Sequence, residues 1–472
     1  MDYDVIILGA GPAGYVAAIR CAQYGKKVAV IDPWHNGKVA ALGGVCLNAG
    51  CIPSKALLDS TQRYAELKTL SEHGIMIDKA TIDLDSMMQR KDQIVDKLVN
   101  GIALLFKRHG IEWLQGHGKL VGPHDVEIQP VDKNAPARTL QAESIILATG
   151  SRPAELPGIP YDGTHILHAT HALSLRQIPK RLAIIGAGAV GLELGSVWNR
   201  LGTEVHVFEG LSNFLPFLDP RLSRQIHSHL TNETFQLTLG VKIEGANIDQ
   251  DMVKLDVRAA DGKLITHTAE LLLVAAGRRP NTENLIAEDV GLAIAENGEI
   301  TVDHQCRTNL ENVYAIGDIV RGPKLAHKGS AEGRMVAALI AGQYDQIDYD
   351  CIPAVIYTHP EMAWVGLNEP QIKQQQIPYQ IGQASFATNG RALAGGATTG
   401  MVKFFVEKNS SRILGAQIVG PEASLLIQEI VSLMEFSGTA EDLAAMIHAH
   451  PALSEVLHEA AEDCMGMAIH KA

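Results

Sequence analysis

At 472 residues the chain is too long for one hydrophobic core, and two to four domains are expected. With 46% hydrophobic and 20% charged residues it has the composition of a soluble globular protein, not of a disordered or fibrous one. A net charge of −13 argues against nucleic acid as a partner, and no apolar run approaches the roughly 20 residues of a membrane helix, so no membrane association is expected.

The chain opens on Met1-Asp2-Tyr3-Asp4 and enters a strand-like run at once. It shows no basic leader and no apolar signal core, so a cytoplasmic location is expected. Six cysteines in so long a chain are not a disulfide scaffold. Cys21, Cys306, Cys351 and Cys464 are scattered and read as structural, whereas Cys46 and Cys51 lie close together.

Residues 4–32 read DVIILGAGPAGYVAAIRCAQYGKKVAVID. An apolar strand ends in Gly9, Gly11 and Gly14, a helix follows, and a second strand closes on Asp32. This is the strand–turn–helix–strand unit that binds dinucleotides. The glycines let the backbone turn tightly and approach a pyrophosphate at the helix N-terminus. The acid accepts hydrogen bonds from ribose hydroxyls.

Next comes GGVCLNAGCIPSK, residues 43–55, which carries the close cysteine pair. Three uses compete: two packed thiols, half of a metal site, or a redox dithiol. Zinc sites use closer pairs and need partner pairs elsewhere, which are absent, so no metal is expected. In a reducing cytoplasm a cysteine pair that does form a disulfide is usually catalytic. The neighbours suit the redox use. Gly43 and Gly44 permit close backbone approach to a ligand, and Pro53 suits an early helix position. A helix N-terminus lowers a thiol pKa. Lys55 can pair with a phosphate or a reduced flavin, or remain a solvated amine.

The stretches SIILATGSRP (144–153) and LLLVAAGRRPN (271–281) are each an apolar strand ending in small residues and Arg-Pro. They are expected where the chain leaves one sheet for another. Between them a second dinucleotide unit carries Gly186, Gly188, Gly191 and Glu209, with the first unit's spacing from first glycine to acid. Two such units in one chain suggest electron transfer between a flavin and a pyridine nucleotide. VYAIGDIV (313–320) places Asp318 at a strand end, where it suits a ribose or ribityl contact.

The last 120 or so residues change character. MVKFFVEKNSSRILGAQIVG reads as an antiparallel hairpin. Helical stretches follow at EASLLIQEIVSLMEFSG, at TAEDLAAMIHAH, and from near PALSEVLHEAAE, and Thr439 with Asp442 forms a capping-box pattern. No glycine fingerprint occurs here. A separate α+β domain with a packing or dimerisation role is expected. A thiol nucleophile needs a base. His448 and His450 in HAHPALSE are candidates, although a histidine before proline at a helix start is more often structural.

GGVCLNAGCIPSK resembles the redox-disulfide motif of the flavin-dependent pyridine nucleotide–disulfide oxidoreductases. The resemblance runs from Asp4 to about Met465 and includes GAGPAG, GAGAVG, AAGRRPN, YAIGD, LAHKG and HAHPALSE. The wording CLNAGCIPSK leans toward the lipoamide branch of that family. The fold implied is α/β, with two Rossmann-like dinucleotide-binding domains, one for FAD and one for NAD, and a C-terminal α+β dimerisation domain. The division is 1–150 for FAD and the disulfide, 151–278 for NAD, 279–347 completing the FAD site, and 348–472 for the interface.

The resemblance implies that Cys46 attacks lipoamide and that Cys51 lies against the flavin. Lys55 and Glu193, in GLELG, are implied to pair near it. Gly9, Gly11, Gly14, Asp32, Gly44, Gly118, Asp318 and Ala326 are implied to hold FAD, and Gly186, Gly188, Gly191, Glu209 and Gly277 to hold NAD. His450 is implied as the base, Glu455 as its orienting carboxylate, and the His450–Pro451 bond as cis. The implied assembly is a homodimer whose sites combine the thiols of one chain with the histidine of the other. It would serve a lipoyl-bearing acyltransferase subunit or a lipoyl carrier protein. Asp32 stands where glutamate is usual, and Ala49 and Ala452 where Val and Thr are common. A mercuric or high-molecular-weight thioredoxin reductase would need a cysteine pair in the tail, where only Cys464 stands. A glutathione reductase would prefer NADPH.

Overall fold

Val5–Leu8 is four apolar residues long and buried on both faces, which is the signature of a central parallel strand. In the computed structural model, which describes residues 1–36, 39–132 and 134–471, it forms the centre of a sheet. Strand Tyr3–Leu8 pairs in parallel with Val28–Asp32, with Val5 opposite Val28, and with Arg138–Leu147, with Leu8 opposite Leu147. Glu112–Leu120 and Val313–Ala315 extend the parallel sheet on its two sides. The far parts of Glu112–Leu120 and Arg138–Leu147 turn antiparallel around Asp125–Pro130.

Contacts divide the chain into two units, each discontinuous in sequence. The first comprises 1–57, 83–154 and 276–347, and the second 58–82, 155–275 and 348–472. The two Arg-Pro stretches stand where the chain leaves the first unit and where it returns. Their tails pair with each other, Ser151–Pro153 running antiparallel to Arg278–Pro280.

In the second unit five parallel strands lie in the order Phe235–Thr238, Glu204–Phe208, Arg181–Ile185, Leu271–Val274, Ile166–Leu167. The antiparallel strands Lys242–Asp249, Met252–Arg258 and Leu264–Ala269 form a small sheet of their own. Residues 348–472 add a five-stranded antiparallel sheet, in which the expected hairpin appears as Met401–Glu407 and Ile413–Gly420. Helices Ala423–Glu435, Ala440–Ala445 and Glu455–Cys464 contribute buried residues to the same core as that sheet. Thr439 and Asp442 form the expected capping box.

The second of these helices stops at Ala445 instead of running to His450. The helix ends where Met446 takes extended backbone (φ −71°, ψ 139°). The His450–Pro451 bond is cis, as is His359–Pro360. No helix among the described residues is long and apolar enough to cross a membrane.

Candidate redox and nucleotide sites

Gly9 has φ +107°, and a Cβ there would lie 2.3 Å from the Ala148 carbonyl oxygen. One on Gly14 would lie 1.9 Å from the Gly9 carbonyl oxygen. Only glycine closes this turn and seats helix Pro12–Gln23 against it. The helix begins at Gly11 with no side-chain cap, so its first amides remain available to an anion.

Asp32, at the end of the second strand, braces this turn. Its Oδ2 accepts the Ala10 N–H at 2.5 Å and its Oδ1 the Trp34 N–H at 2.7 Å. Burial pushes its carboxyl above the usual range, and the two amides work against that shift. The buried Trp34 indole N–H has no hydrogen-bond partner among the described residues. A glycine turn that leads into an uncapped helix N-terminus, with a strand-end carboxylate beside it, fits the adenosine diphosphate half of a dinucleotide.

The thiol loop rests on the same turn. A Cβ on Gly44 would lie 2.7 Å from the Gly11 Cα, so the two backbones touch. Asn48 Nδ2 ties the loop by donating to the Leu42 and Gly44 carbonyls, both at 2.9 Å. Cys46 lies in helix Gly44–Ala49, and Cys51 opens helix Cys51–Glu66, with Pro53 in its first turn. Both are in the reduced, thiol form. The hydrogen bond to Cys51, and then burial, push the Cys46 thiol up, while the Lys55 ammonium acts the other way. The pair is thus in direct contact. Tyr15 lies beside it: burial, and then the charge Cys46 would carry, raise the phenol. Sequence reasoning passed over Tyr15, although it directly follows the glycine fingerprint.

The second glycine turn repeats the first. Gly186 has φ +102°, and a Cβ on Gly191 would lie 2.0 Å from the Gly186 carbonyl oxygen. Glu209 accepts the Ala187 N–H at 2.8 Å and the Leu211 N–H at 2.9 Å, the same two offsets that Asp32 serves. Gly188 starts helix Ala189–Arg200, and a Cβ there would meet nothing within 4 Å, which leaves room for a ligand. Glu193 is buried in this helix and accepts the Tyr357 N–H at 3.0 Å. Gly277 belongs to the first unit, has φ +113° and faces open space.

In the first unit, Asp318 sits in the 3-10 turn Gly317–Ile319. Its carboxylate accepts the Ser151 hydroxyl, and Arg278 donates through Nε to that same hydroxyl oxygen at 2.7 Å. Ala326 is the first residue of helix Ala326–Ile340. Gly118 has a packing reason to be glycine, since a Cβ there would lie 2.5 Å from Leu8 Cδ2.

His450 and Glu455 line a cavity of about 480 Å³ in the second unit, together with Ser385, Asn389, His448 and His470. His450 Nδ1 lies 2.8 Å from Glu455 Oε1, and Glu455 Oε2 accepts the Ala452 N–H at 2.8 Å. That amide, and then the histidine, hold the Glu455 carboxyl below the usual range. A carboxylate only accepts, so Nδ1 carries the proton and Nε2 is left as the basic nitrogen.

Residues 3–333 match the family model described as "Pyridine nucleotide-disulphide oxidoreductase", and residues 352–461 match that family's dimerisation domain. The chain is 44% identical over 464 residues to a dihydrolipoyl dehydrogenase of Cupriavidus necator, covering 98% of this chain and 97% of the relative. It is 42% identical over 466 residues to the mitochondrial dihydrolipoyl dehydrogenase of Homo sapiens, covering 98% and 90%. The crystal structure of LpdA from Mycobacterium tuberculosis is similar with a TM-score of 0.89 at 26% identity, over 97% of this chain and 99% of that one.

Proposed function

The chain belongs to the pyridine nucleotide–disulphide oxidoreductases, and on that premise we propose that it oxidises protein-bound dihydrolipoamide to lipoamide and reduces NAD⁺ to NADH. The observation that carries this is the pair of contacting thiols, Cys46 and Cys51, on a loop seated against the first glycine turn. Two relatives covered almost end to end are dihydrolipoyl dehydrogenases.

Gly9, Gly11, Gly14, Asp32, Gly44, Lys55, Gly118, Asp318 and Ala326 would hold FAD. Gly186, Gly188, Gly191, Glu209 and Gly277 would hold NAD, and Glu193 would pair with Lys55 near the flavin. Bound FAD would supply the two-electron acceptor that returns the dithiol to disulfide, with NAD⁺ taking the hydride. The protein's side chains perform the thiol chemistry. His450 Nε2 takes the proton of a substrate thiol while Glu455 holds the ring. The substrate thiolate attacks Cys46, the Cys46–Cys51 bond breaks, and the electron pair leaves on Cys51. The second substrate thiolate then displaces Cys46 and closes the lipoamide ring.

The division at residues 150, 278 and 347 belongs to this proposal. So do a homodimer, a cytoplasmic setting, and a lipoyl-bearing acyltransferase subunit or lipoyl carrier protein as partner. Steady-state assays with dihydrolipoamide and NAD⁺, with glutathione disulfide, and with mercuric ion would test it. Turnover is expected only with the first. Faster turnover of glutathione disulfide with NADPH would defeat the proposal.

A further inference from the structure

Lys328 and Glu332 are 1% and 0% exposed, and they pair at 3.2 Å one turn apart on helix Ala326–Ile340. Neither has a part in the chemistry above. Two charges taken out of water cost about as much in lost hydration as their attraction returns, so stability alone is a weak account of their presence.

Both charges are directed at one short turn. Lys328 Nζ donates to the Gly317 carbonyl and to the Arg321 carbonyl, each at 2.9 Å. Glu332 Oε2 accepts the Gly317 N–H at 2.7 Å. Gly317 therefore has its amide held by the carboxylate and its carbonyl held by the ammonium. It has φ +78°, a left-handed backbone, and it opens the 3-10 turn that carries Asp318. Lys324 adds a bond to the Asp318 carbonyl at 3.0 Å. The helix reaches this turn because it lies tight on helix Pro12–Gln23, where a Cβ on Gly333 would be 2.6 Å from the Ala13 carbonyl oxygen. The Asp318 carboxylate meanwhile meets Ser151, which Arg278 holds from the other side. Backbone and carboxylate of Asp318 are thus fixed by separate sets of residues.

We propose that Lys328 and Glu332 are positioning residues for the flavin: the buried pair fixes the Gly317–Arg321 turn in its ligand-ready shape before FAD arrives, and so sets how long FAD stays bound. This rests on the reading of Asp318 as an FAD contact. Binding is tighter where the receptor is already ordered, because the ordering cost is not taken from the contact.

The test uses the full-length protein with its FAD removed and restored. In the double variant Lys328→Met with Glu332→Leu, both charges leave together and no unpaired charge stays buried. The flavin-free variant is expected to melt close to the flavin-free parent. The reloaded variant is expected to release FAD at least about tenfold faster, followed by flavin fluorescence. Release at the parent's rate would overturn the proposal. Should the double variant not fold, amide exchange in the parent decides. The Gly317 amide should be equally protected with and without FAD. Protection appearing only with FAD would mean that the cofactor shapes the turn, and the proposal fails. Asp318→Ala separates the two readings. If it keeps FAD as the parent does, the Asp318 assignment is wrong, whatever the exchange at Gly317 shows about the turn.

Discussion

His448 and His450 carry the same imidazole two residues apart, and burial separates them. The His448 side chain is 8% exposed, with Nε2 bound to Glu429 at 2.8 Å and Nδ1 near the Met446 carbonyl. The His450 side chain is 80% exposed and is held through Nδ1 alone. A base must present an open nitrogen to the thiol it deprotonates, and this exposure supports the proposal of His450 over His448. Glu455→Gln replaces an acceptor with an amide that can donate, which favours the wrong tautomer. Lipoamide turnover is then expected to fall by roughly 10²–10⁴, while NADH oxidation by ferricyanide, which needs no thiol proton, stays near the parent's rate. Equal loss in both assays would mean that Glu455 supports the fold and not the proton transfer. Because Glu455 is held below the usual carboxylate range, its bond to His450 persists through neutral pH and is lost only as pH falls through that lowered value.

The two strand–turn–helix–strand units show what spacing reveals and what it conceals. Equal spacing from first glycine to acid located both turns, because only that length of helix and strand returns the chain to the glycines. It gave no warning that Asp32 and Glu209 each brace the amide after the first glycine. That depends on where a side chain points, which spacing does not record. Tyr15 and the Lys328–Glu332 pair were hidden for the same reason, since their meaning lies in contacts distant in sequence. Bracing also alters the coenzyme expectation. Glu209 should repel a 2′-phosphate, so NAD is preferred over NADP. Glu209→Arg should reverse the preference. It also frees the Ala187 and Leu211 amides, so its kcat/KM with NADP should stay below the parent's with NAD. A variant matching the parent would show that the braces are dispensable. In the same sheet, His206 is pushed down to about 4, by burial first and then by His267, itself lowered by burial and Arg181. The unfolded chain therefore binds a proton that the folded one refuses between about pH 6.5 and that value, and stability falls as pH drops through the window. His206→Phe, which can still stack on Phe208, should flatten the dependence of Tm on pH there. An unchanged slope would shift the effect to other groups.

At the scale of the molecule, the thiols and the base lie in different units, Cys46 and Cys51 in the first and His450 and Glu455 in the second. Residues 352–461 match a dimerisation domain, and within that span Leu425, Phe436 and Ile447 expose large apolar side chains to solvent. Such surface is what a second subunit covers. The C-terminal domain was legible as a domain because it lacks a glycine fingerprint, but no sequence pattern states which copy's histidine serves which disulfide. Family resemblance supplies that expectation: each site joins Cys46 and Cys51 of one chain to the histidine of its partner. Subunit mixing tests it. Cys51→Ala and His450→Ala homodimers should each be nearly inactive, since every site lacks a thiol or a base. Unfolded and refolded together, they form some mixed dimers. With shared sites, one site of a mixed dimer inherits both defects and the other inherits none, so lipoamide activity returns. With sites built inside single chains, every site keeps one defect and the mixture stays inactive. Mixed dimers isolated by two different affinity tags and still inactive would therefore refute the shared site, and activity that rises with the fraction of mixed dimers would establish it.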